Sequence, residues 1–476
     1  MKVNVTAQFG QTVGRKPGVT RAEKRAMMKK RSLSRELLII IHSYFPFLIN
    51  GLRNVKDPRN KSYIDYDISV LLLERIMSAI FSDNSMRTQT YTFAEENVIK
   101  NIAKILKQEL DELPHHDTIN NCFESLEPSE MEGLIKKMAN ALIRRNTFND
   151  SRIRGKYWQI LIDGTTLSSF SHKHCDKCLF RRHKNKKGEV TRVEFYHCVL
   201  EAKLVLHENL VFSICTVFIE NEGGIPDEAE LYSSTYDEPS NEKKKQNCEL
   251  KAFFDLSAKL KSMFPKLPIC ITADGLYPCK QVFQICKEKD WHYILRFKEG
   301  CIPTIYESYR NSRYLYKGQA FRKVVNGDSM EYFYENKLEY DNYSINIAEC
   351  KDPNVDYPFI FATDLPVDKD NCEGTVMAGR RRWKIENEGF KVQKQHGFYL
   401  KHMFSYNNNA MKIHYFLIQI AHSISQLLEH GYEFFRKAGL TKAQFHKKIL
   451  DAFKFNILSD DDLLVAGTPQ KIRLDL

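Results

Sequence analysis

Apolar side chains recur at intervals of three and four residues through most of residues 36–150. This is the spacing of one face of an α-helix. Five stretches show it: 37–52, 66–81, 93–110, 117–126 and 129–145. The Val-rich alternation that is typical of strands is missing from this part of the sequence. The pattern therefore predicts an all-helical N-terminal domain over residues 36–150.

After residue 150 the sequence changes to short apolar runs. Strands are predicted at 157–162, 195–206, 209–219, 268–273 and 292–298. Helices are predicted at 248–264 and 280–289, and a loop at 221–247. Three strands followed by alternating helices and strands are typical of a mixed sheet with helices on its faces. We therefore expect residues 151–300 to form the first part of a core domain of the α+β class.

The last third of the chain is predicted to change from strands to helices. Residues 301–372 are rich in Tyr, Phe and Val and contain a turn signal at 325–328, so we expect a β-rich insertion subdomain. Helical spacing resumes near residue 374. Residues 373–430 are therefore predicted to supply the last helices of the core, and residues 431–476 a C-terminal helical tail.

Basic residues are concentrated at the N-terminus. The chain carries 71 Lys and Arg against 60 Asp and Glu, and residues 1–35 hold ten of the former and one of the latter. This composition predicts a flexible arm that contacts nucleic-acid phosphates, the alternative being a solubilising tail. The arm residues expected on DNA are Arg15, Lys16, Arg25, Lys29, Lys30 and Arg31. A second basic cluster, also expected on the DNA backbone, comprises Arg181, Arg182, Lys184, Lys186 and Lys187.

Several other classes of protein are disfavoured. No uncharged apolar run reaches the roughly 18 residues that a membrane span needs, and no apolar leader typical of secretion opens the sequence. The 12 cysteines are scattered, which favours reduced thiols. Gly-rich phosphate loops, serine elbows and dinucleotide fingerprints are missing from the sequence. We therefore expect a cytoplasmic protein with no membrane association.

Carboxylates follow two of the predicted strands. Asp163 and Asp274 each come directly after an apolar run and precede a glycine. Either aspartate could simply begin a turn. Two aspartates at the ends of neighbouring strands can instead share divalent metal ions, because such ions prefer oxygen ligands.

A third carboxylate lies in the basic helical stretch 380–394. Glu386 is flanked there by arginines and lysines, which cannot ligate a metal but suit phosphate oxygens. A glutamate in these surroundings can complete a metal site that faces phosphates, and Glu388 is a rival for this role. The alternative is a solvated charged helix.

These acids stand in three recognisable segments. They are Ile-Leu-Ile-Asp-Gly-Thr-Thr at 160–166, Ile-Thr-Ala-Asp-Gly-Leu-Tyr at 271–277 and Arg-Trp-Lys-Ile-Glu-Asn at 382–387. Together they resemble the DDE transposases of bacterial insertion sequences. More narrowly, the chain resembles the group whose last acid lies in a Tyr–Arg–Glu–Lys signature helix and whose catalytic fold is RNase H-like. The similarity of plan covers residues 150–430.

The resemblance implies a DNA transposase with an RNase H-like mixed sheet, in which Asp163, Asp274 and Glu386 are catalytic and bind two Mg²⁺ or Mn²⁺ ions. Water would cleave the phosphodiester at the transposon ends, and the freed 3′-hydroxyl would attack target DNA, as in cut-and-paste transposition. Residues 36–150 would bind the terminal inverted repeats, and a homodimer would pair two ends. The alternative functions are an RNase H-like nuclease without strand transfer and a catalytically inert, domesticated DNA-binding protein.

The predicted signature helix departs from the family pattern at two positions. Arg382 lies four residues before Glu386, as expected, but Gly379 stands where Tyr is expected. Gln393 stands where Lys is expected, and a lysine follows one residue later. The residues of this helix expected to contact DNA are Arg382, Lys391 and Lys394.

Cysteine and histidine lie close together between the first acid and the second basic cluster. His172, His174, Cys175 and Cys178 have a spacing that resembles a zinc site. A second cysteine pair at matching spacing is missing from the sequence. The alternative to zinc is therefore a loop containing Cys and His on the DNA-binding face.

Overall fold

A computed structural model of the chain describes residues 32–83, 85–222, 224–233, 241–315, 320–325, 327–432 and 439–468, together with Ile472 and Leu474. The arm residues predicted to bind DNA, from Arg15 to Arg31, lie outside these ranges. Across the described residues, no helix has both the length and the apolar character that crossing a bilayer requires.

Helices dominate the N-terminal part of the chain. Within its described residues they are α1 (Leu33–Tyr44), α2 (Leu48–Arg53), α3 (Ile68–Phe81), α4 (Met86–Phe93), α5 (Glu96–Leu106), α6 (His116–Ser125) and α7 (Pro128–Ile143). Helix α5 buries an apolar stripe that includes Val98 and Ile102, whereas α3 is buried along its whole length. The side chain of Asp67 accepts a hydrogen bond from the Ser69 backbone N–H at 2.9 Å and so caps α3. This region therefore has the helical character that its apolar spacing predicts.

Ten strands form one mixed sheet within the described residues. They are β1 (Trp158–Phe170), β2 (Leu179–Lys184), β3 (Val190–His207), β4 (Leu210–Ile219), β5 (Ile269–Ala273), β6 (His292–Arg296), β7 (Phe321–Val325), β8 (Asp328–Tyr340), β9 (Tyr343–Lys351) and β10 (Phe359–Thr363). The order is β2-β3-β1-β5-β6-β10-β9-β8-β7, and β4 pairs with the part of β3 that β2 leaves open. Strands β1, β5 and β6 are parallel to one another, and the other pairs are antiparallel.

Further helices connect these strands. They are α8 (Glu228–Tyr232), α9 (Asn241–Met263), α10 (Lys280–Lys289), α11 (Pro303–Leu315), α12 (Cys372–Arg380), a π-helix at Ile385–Phe390, and α13 (Lys391–Gln395). Helix α9 packs against β3 and β4, and α12 packs against β10, β9 and β6. The predicted mixed α+β class is therefore confirmed.

Three elements of the first half of the sheet differ from the sequence prediction. Strand β1 continues past Asp163 to Phe170, because its pairing with β3 extends that far. Strand β2 was missed, since its Arg, His and Lys side chains hide the strand pattern. The predicted loop at 221–247 contains α8 and the beginning of α9.

The predicted insertion also differs. It begins with a helix, α11, in which Ile305 and Tyr309 face the core. Its strands do not form a separate sheet, because β10 pairs with β6 and so joins β7–β10 to the central sheet. The helical stretch predicted at 374–395 is divided into α12, the π-helix and α13.

The C-terminal helices pack against the N-terminal ones. They are α14 (Asn408–Gly431), α15 (Lys442–Phe455) and α16 (Asp460–Gly467). Helix α14 packs against α3, α6 and α7, and α16 packs against α1. The Asn101 amide is buried and donates to the Phe453 carbonyl at 3.0 Å, and it accepts from the Leu458 N–H at 2.8 Å. The described part of the predicted tail is thus fastened to α5.

Candidate active site

Asp163 and Asp274 lie side by side because of the strand register. Strand β1 is paired in parallel with β5 from Trp158–Ile269 to Leu161–Thr272, an offset of 111 residues. The same offset, continued by two residues, sets Asp163 opposite Asp274. Here β5 ends, and the Asp274 carboxylate accepts a hydrogen bond from the Leu276 N–H at 2.8 Å. One aspartate therefore lies within a continuing strand, and the other begins a turn.

Glu386 reaches the same place from the π-helix. Ile385 and Phe390 anchor this helix in a small apolar cluster with Leu161 of β1 and with Val205 and Val211 of the β3–β4 pair. Glu386 itself is exposed. The anchoring fixes the helix over the strand that carries Asp163. π-Helical turns are rare and often occur at functional sites, because they re-aim the side chains that follow.

The electrostatics of Asp163 involve both of the other acids. Burial raises the pKa of Asp163 to about 6, with a further upward contribution from the Asp274 and Glu386 carboxylates, although Arg382 opposes the shift. The Arg382 guanidinium donates to the Asp163 carboxylate at 3.2 Å. Arg382 therefore holds an acid whose charged form is otherwise disfavoured.

Lys394 supplies a second cation on this side of the helix. Its ammonium donates to the Thr165 hydroxyl. Burial lowers the pKa of Lys394, whereas the Glu386 carboxylate favours its charged form. Lys391 lies on the exposed face of α13.

The rival acid, Glu388, points elsewhere. Its carboxylate lies 3.9 Å from the Lys384 ammonium, and Lys384 also donates to Asn209 at 3.3 Å, in the turn between β3 and β4. The charge of Glu388 acts on His430 of α14. Of the two glutamates of the π-helix, Glu386 is the one among the main influences on the pKa of Asp163.

Packing explains why Gly and Gln suit positions 379 and 393. A Cβ atom at Gly379 would lie 2.4 Å from the Phe361 ring of β10, so no larger side chain fits without a shift. Gln393 is fully buried, where its amide donates to Gln419 at 2.7 Å and contacts His422 at 3.0 Å. Lys394, the next residue, is the lysine that lies beside Thr165 and is influenced by the Glu386 charge.

A fourth carboxylate, Glu249 of α9, was missed by the sequence analysis. It is 7% exposed, and its carboxylate lies so close to Gly164 that a Cβ atom there would be 2.9 Å from it. Together with Asp274 and Lys298 it lines a cavity of about 480 Å³. The signal in the sequence is its position on the buried stripe of α9, four residues before Phe253, where an apolar side chain would be ordinary.

The donor set of the site fits a divalent cation. Carboxylate oxygens are the ligands that Mg²⁺ and Mn²⁺ prefer. Burial first, and then the neighbouring carboxylates, raise the pKa of Asp163, and a bound cation would stabilise its charged form. Asp163, Asp274 and Glu386 would hold it. Among the described residues, the groups whose ligand atoms all lie within 4.8 Å of one another do not include these three acids. At least two of the three carboxylates are therefore farther apart than this limit.

The second basic cluster is divided between two environments. Lys184 is exposed, and Arg181 stacks on Tyr196 with its guanidinium 5.0 Å from the ring centroid. Arg182, in contrast, is 2% exposed and donates to the Ser233 carbonyl. Arg182 thus fastens the segment after α8 to β2 and does not present its charge to a ligand.

The predicted Cys and His residues are only partly brought together. His174, Cys175 and Cys178 form a cluster with His197 of β3, and the ligand atoms of all four lie within 4.8 Å of one another. His172 is exposed and is not part of this cluster. His197 was missed because it lies within a strand, 19 residues after Cys178, and only strand pairing brings it near.

Comparisons with known proteins give a distant structural similarity. No protein-family model matches the chain, and no curated protein matches it. The chain is similar to one in a cryo-EM structure of the piggyBac transposase synaptic complex with hairpin DNA, with 11% sequence identity and a TM-score of 0.41. The alignment covers 92% of this chain and 82% of that chain.

Proposed function

We propose that this chain is a DNA transposase that cleaves DNA at the ends of its own element and joins the freed 3′-hydroxyl to target DNA. The observations that carry the proposal are the parallel register of β1 and β5, which continues to Asp163 and Asp274, and the Arg382 guanidinium 3.2 Å from the Asp163 carboxylate. The charges of Asp274 and Glu386, added to burial, raise the pKa of Asp163 and are a further support. Three carboxylates with cations around them suit metal ions and a phosphodiester at one place.

The proposal includes an RNase H-like core of the kind found in bacterial insertion-sequence transposases with the signature helix. Its support is the order β4-β3-β1-β5-β6, in which an antiparallel group leads into two parallel strands. The first acid lies on β1, and the second follows the adjacent parallel strand β5. The spacing of Arg382 and Glu386 along the signature helix is a further support.

The division of labour in the site follows from its contacts. Two Mg²⁺ or Mn²⁺ ions, when bound to Asp163, Asp274 and Glu386, would stabilise the attacking and leaving oxygens of the phosphodiester. Arg382 lies next to Asp163 and can transfer its hydrogen bonds to a phosphate oxygen. Lys394 lies on the Thr165 side of the acids and can neutralise a neighbouring phosphate. Glu249 adds negative charge beside Gly164 and lines the same cavity as Asp274.

The proposed partners are the terminal inverted repeats and the target DNA. Residues 36–150 would bind the repeats, aided by the basic arm, and Lys184 and Lys391 present charge on exposed surfaces. A homodimer would pair two ends. Positive charge of this kind gives affinity without base selection, so recognition of the repeats is assigned to the helical region.

The proposal is tested with the native DNA that flanks this gene, carried on a plasmid. Purified protein and Mg²⁺ are added, and breaks and joined products are mapped by sequencing. We expect breaks at a pair of inverted repeats and joining of their 3′ ends. Asp274→Asn should abolish both while DNA binding persists. Asp290→Asn is the matched control, because Asp290 is exposed and its left-handed backbone, with φ of 56°, also suits Asn.

Other outcomes would point to the alternative functions. Cleavage without joined products would favour an RNase H-like nuclease. DNA binding without any break would favour a catalytically inert DNA-binding protein. Undiminished cleavage by Asp274→Asn would show that Asp274 is not a catalytic residue.

A further inference from the structure

A second cluster of potential metal ligands lies away from the three acids. Cys175 and Cys178 lie in the turn between β1 and β2, and His197 faces them from β3. The two Sγ atoms are 3.8 Å apart. His197 Nε2 lies 3.5 Å from the Cys175 sulfur and 3.4 Å from the Cys178 sulfur. One ring nitrogen therefore faces both sulfurs at once.

These separations match the edges of a tetrahedral zinc site. With Zn–S bonds of about 2.3 Å and Zn–N bonds of about 2.0–2.1 Å, tetrahedral angles set the S–S edge at about 3.8 Å and the S–N edge at about 3.6 Å. The three observed distances lie within about 0.2 Å of these values. A disulfide would need the sulfurs at about 2.05 Å and would leave the imidazole without a role.

His174 completes the set. Both of its ring nitrogens are buried, and neither has a hydrogen-bond partner within the described part of the chain. Its ring is stacked between Phe170, at 4.6 Å, and Tyr406, at 4.8 Å, which fixes the orientation of the imidazole. Buried ring nitrogens without partners are costly unless one of them binds something. In this cluster, a metal ion would be the missing partner of the His174 ring.

We propose that His174, Cys175, Cys178 and His197 bind one structural Zn²⁺ ion. Four protein ligands of the Cys₂His₂ type close the coordination sphere, so the ion has no open position for catalysis. The backbone N–H of Cys175 also points to the Cys178 sulfur at 3.4 Å and would stabilise a thiolate there. Each bound thiolate requires the loss of one thiol proton, so binding releases two protons.

The ion would fasten the turn before β2 to β3. Strand β2 leads directly into the exposed basic turn that contains Lys184, Lys186 and Lys187. Tyr406, stacked on His174, connects the same cluster to the segment before α14. Zinc at this place would therefore fix the base of the β2–β3 ribbon. The inference does not depend on the proposed transposase activity.

The test uses the full-length chain expressed without a histidine tag and purified without chelators. Metal content is measured by plasma mass spectrometry. We expect about one zinc per chain in the native protein and its loss in Cys178→Ser and in His197→Ala. His172→Ala and Cys198→Ser are the matched controls, because these residues neighbour the cluster in sequence but are not part of it. Both controls should keep the zinc.

A second measurement needs no variant and so does not depend on how well the variants fold. X-ray absorption at the zinc edge should show two sulfur ligands at about 2.3 Å and two nitrogen ligands at about 2.0–2.1 Å. A native protein that is free of zinc and does not take it up from solution would overturn the proposal. So would a zinc shell without sulfur, or a Cys175–Cys178 disulfide found by mass spectrometry of the unreduced protein.

Discussion

The charged form of Asp163 lowers the stability of the folded protein. Burial and the adjacent carboxylates of Asp274 and Glu386 raise its pKa to about 6, and Arg382 offsets only part of this effect. A binding site that concentrates like charges is destabilising until its ligand arrives. In the proposed function, that ligand is a pair of divalent cations.

Asp163→Asn should stabilise the metal-free protein at neutral pH by about 1–3 kcal/mol. The pKa of Asp163 in the fold, about 6, lies above its ordinary value of 3.8. The contribution of Asp163 to the free energy of unfolding is therefore most favourable below pH 3.8. This contribution is lost as the pH rises through 6, because the carboxyl group then ionises in the folded protein. Denaturant unfolding at pH 7.5 and at pH 4 measures the difference, which should shrink at the lower pH.

The control for this prediction is Asp461→Asn, since Asp461 is exposed on α16. It should leave the free energy of unfolding nearly unchanged at both pH values. An Asp163→Asn variant that is less stable than the native protein at pH 7.5 would contradict the account.

Gly379 gives a second prediction for a single residue. Gly379→Ala places a methyl group 2.4 Å from the Phe361 ring and should cost about 1–3 kcal/mol of folding stability. Gly374→Ala is the matched control in the same helix, α12, because a Cβ atom there meets nothing within 4 Å. That variant should gain up to about 1 kcal/mol. Equal stability of the two variants in urea titrations would show that the close packing is absent.

Among the secondary-structure elements, the π-helix that carries Glu386 packs against a buried lysine. Lys203 of β3 is fully buried, 3.8 Å from the Glu201 carboxylate, and donates to Gln419 of α14 at 3.0 Å. Its ammonium lies 5.4 Å from the centre of the Phe390 ring, and its stem is 3.0 Å from a Cβ atom built at Gly389. The lysine thus joins the sheet, α14 and the π-helix.

Lys203→Ala should destabilise the protein by about 3–5 kcal/mol, because it leaves Glu201 as a buried charge without its cation. Glu201 keeps the Thr216 hydroxyl at 2.7 Å and the Tyr415 hydroxyl at 2.5 Å, which cannot neutralise it. The double variant Lys203→Met with Glu201→Gln should recover most of the loss. Denaturant unfolding checks both expectations, and a single variant as stable as the double one would contradict them.

The sequence predicts helices and strands better than it predicts the contacts between residues that are far apart in the chain. The apolar runs before Asp163 and Asp274 indicate adjacent strands, and the structure has them as β1 and β5. Strand β2 escapes prediction because its charged side chains give no alternation of apolar residues. Glu249 and His197 escape because their neighbours come from distant parts of the chain, and no local pattern reports them.

For the whole molecule, the helical layer and the sheet share an apolar core. Its buried residues run from Leu33 of α1 through Leu200 of β3 to Phe453 of α15. The proposed division into a DNA-binding region and a catalytic region is therefore one of function and not of separate cores. Motion between the two regions would disrupt shared packing, so DNA bound by the helices would be held at a fixed position relative to the acids.

The basic arm gives a prediction at this scale. Replacing Arg15, Lys16, Arg25, Lys29, Lys30 and Arg31 by Ala should reduce the salt dependence of DNA binding, because each lost phosphate contact lowers the slope of log affinity against log salt by roughly one unit. Cleavage at saturating DNA should persist. Fluorescence anisotropy at several salt concentrations measures the slope, and an unchanged slope would show that the arm does not bind DNA.

The most direct test of the central claim compares two glutamates of one helical turn. Glu386 and Glu388 lie two positions apart in the π-helix, but the Glu386 charge raises the pKa of Asp163, whereas the Glu388 carboxylate lies 3.9 Å from the Lys384 ammonium. Glu386→Gln and Glu388→Gln are each assayed for Mn²⁺ binding by calorimetry and for cleavage and joining of the element ends. We predict that Glu386→Gln weakens Mn²⁺ binding and abolishes both reactions, whereas Glu388→Gln keeps them. Full activity in Glu386→Gln, or its loss in Glu388→Gln alone, would contradict the assignment of the site.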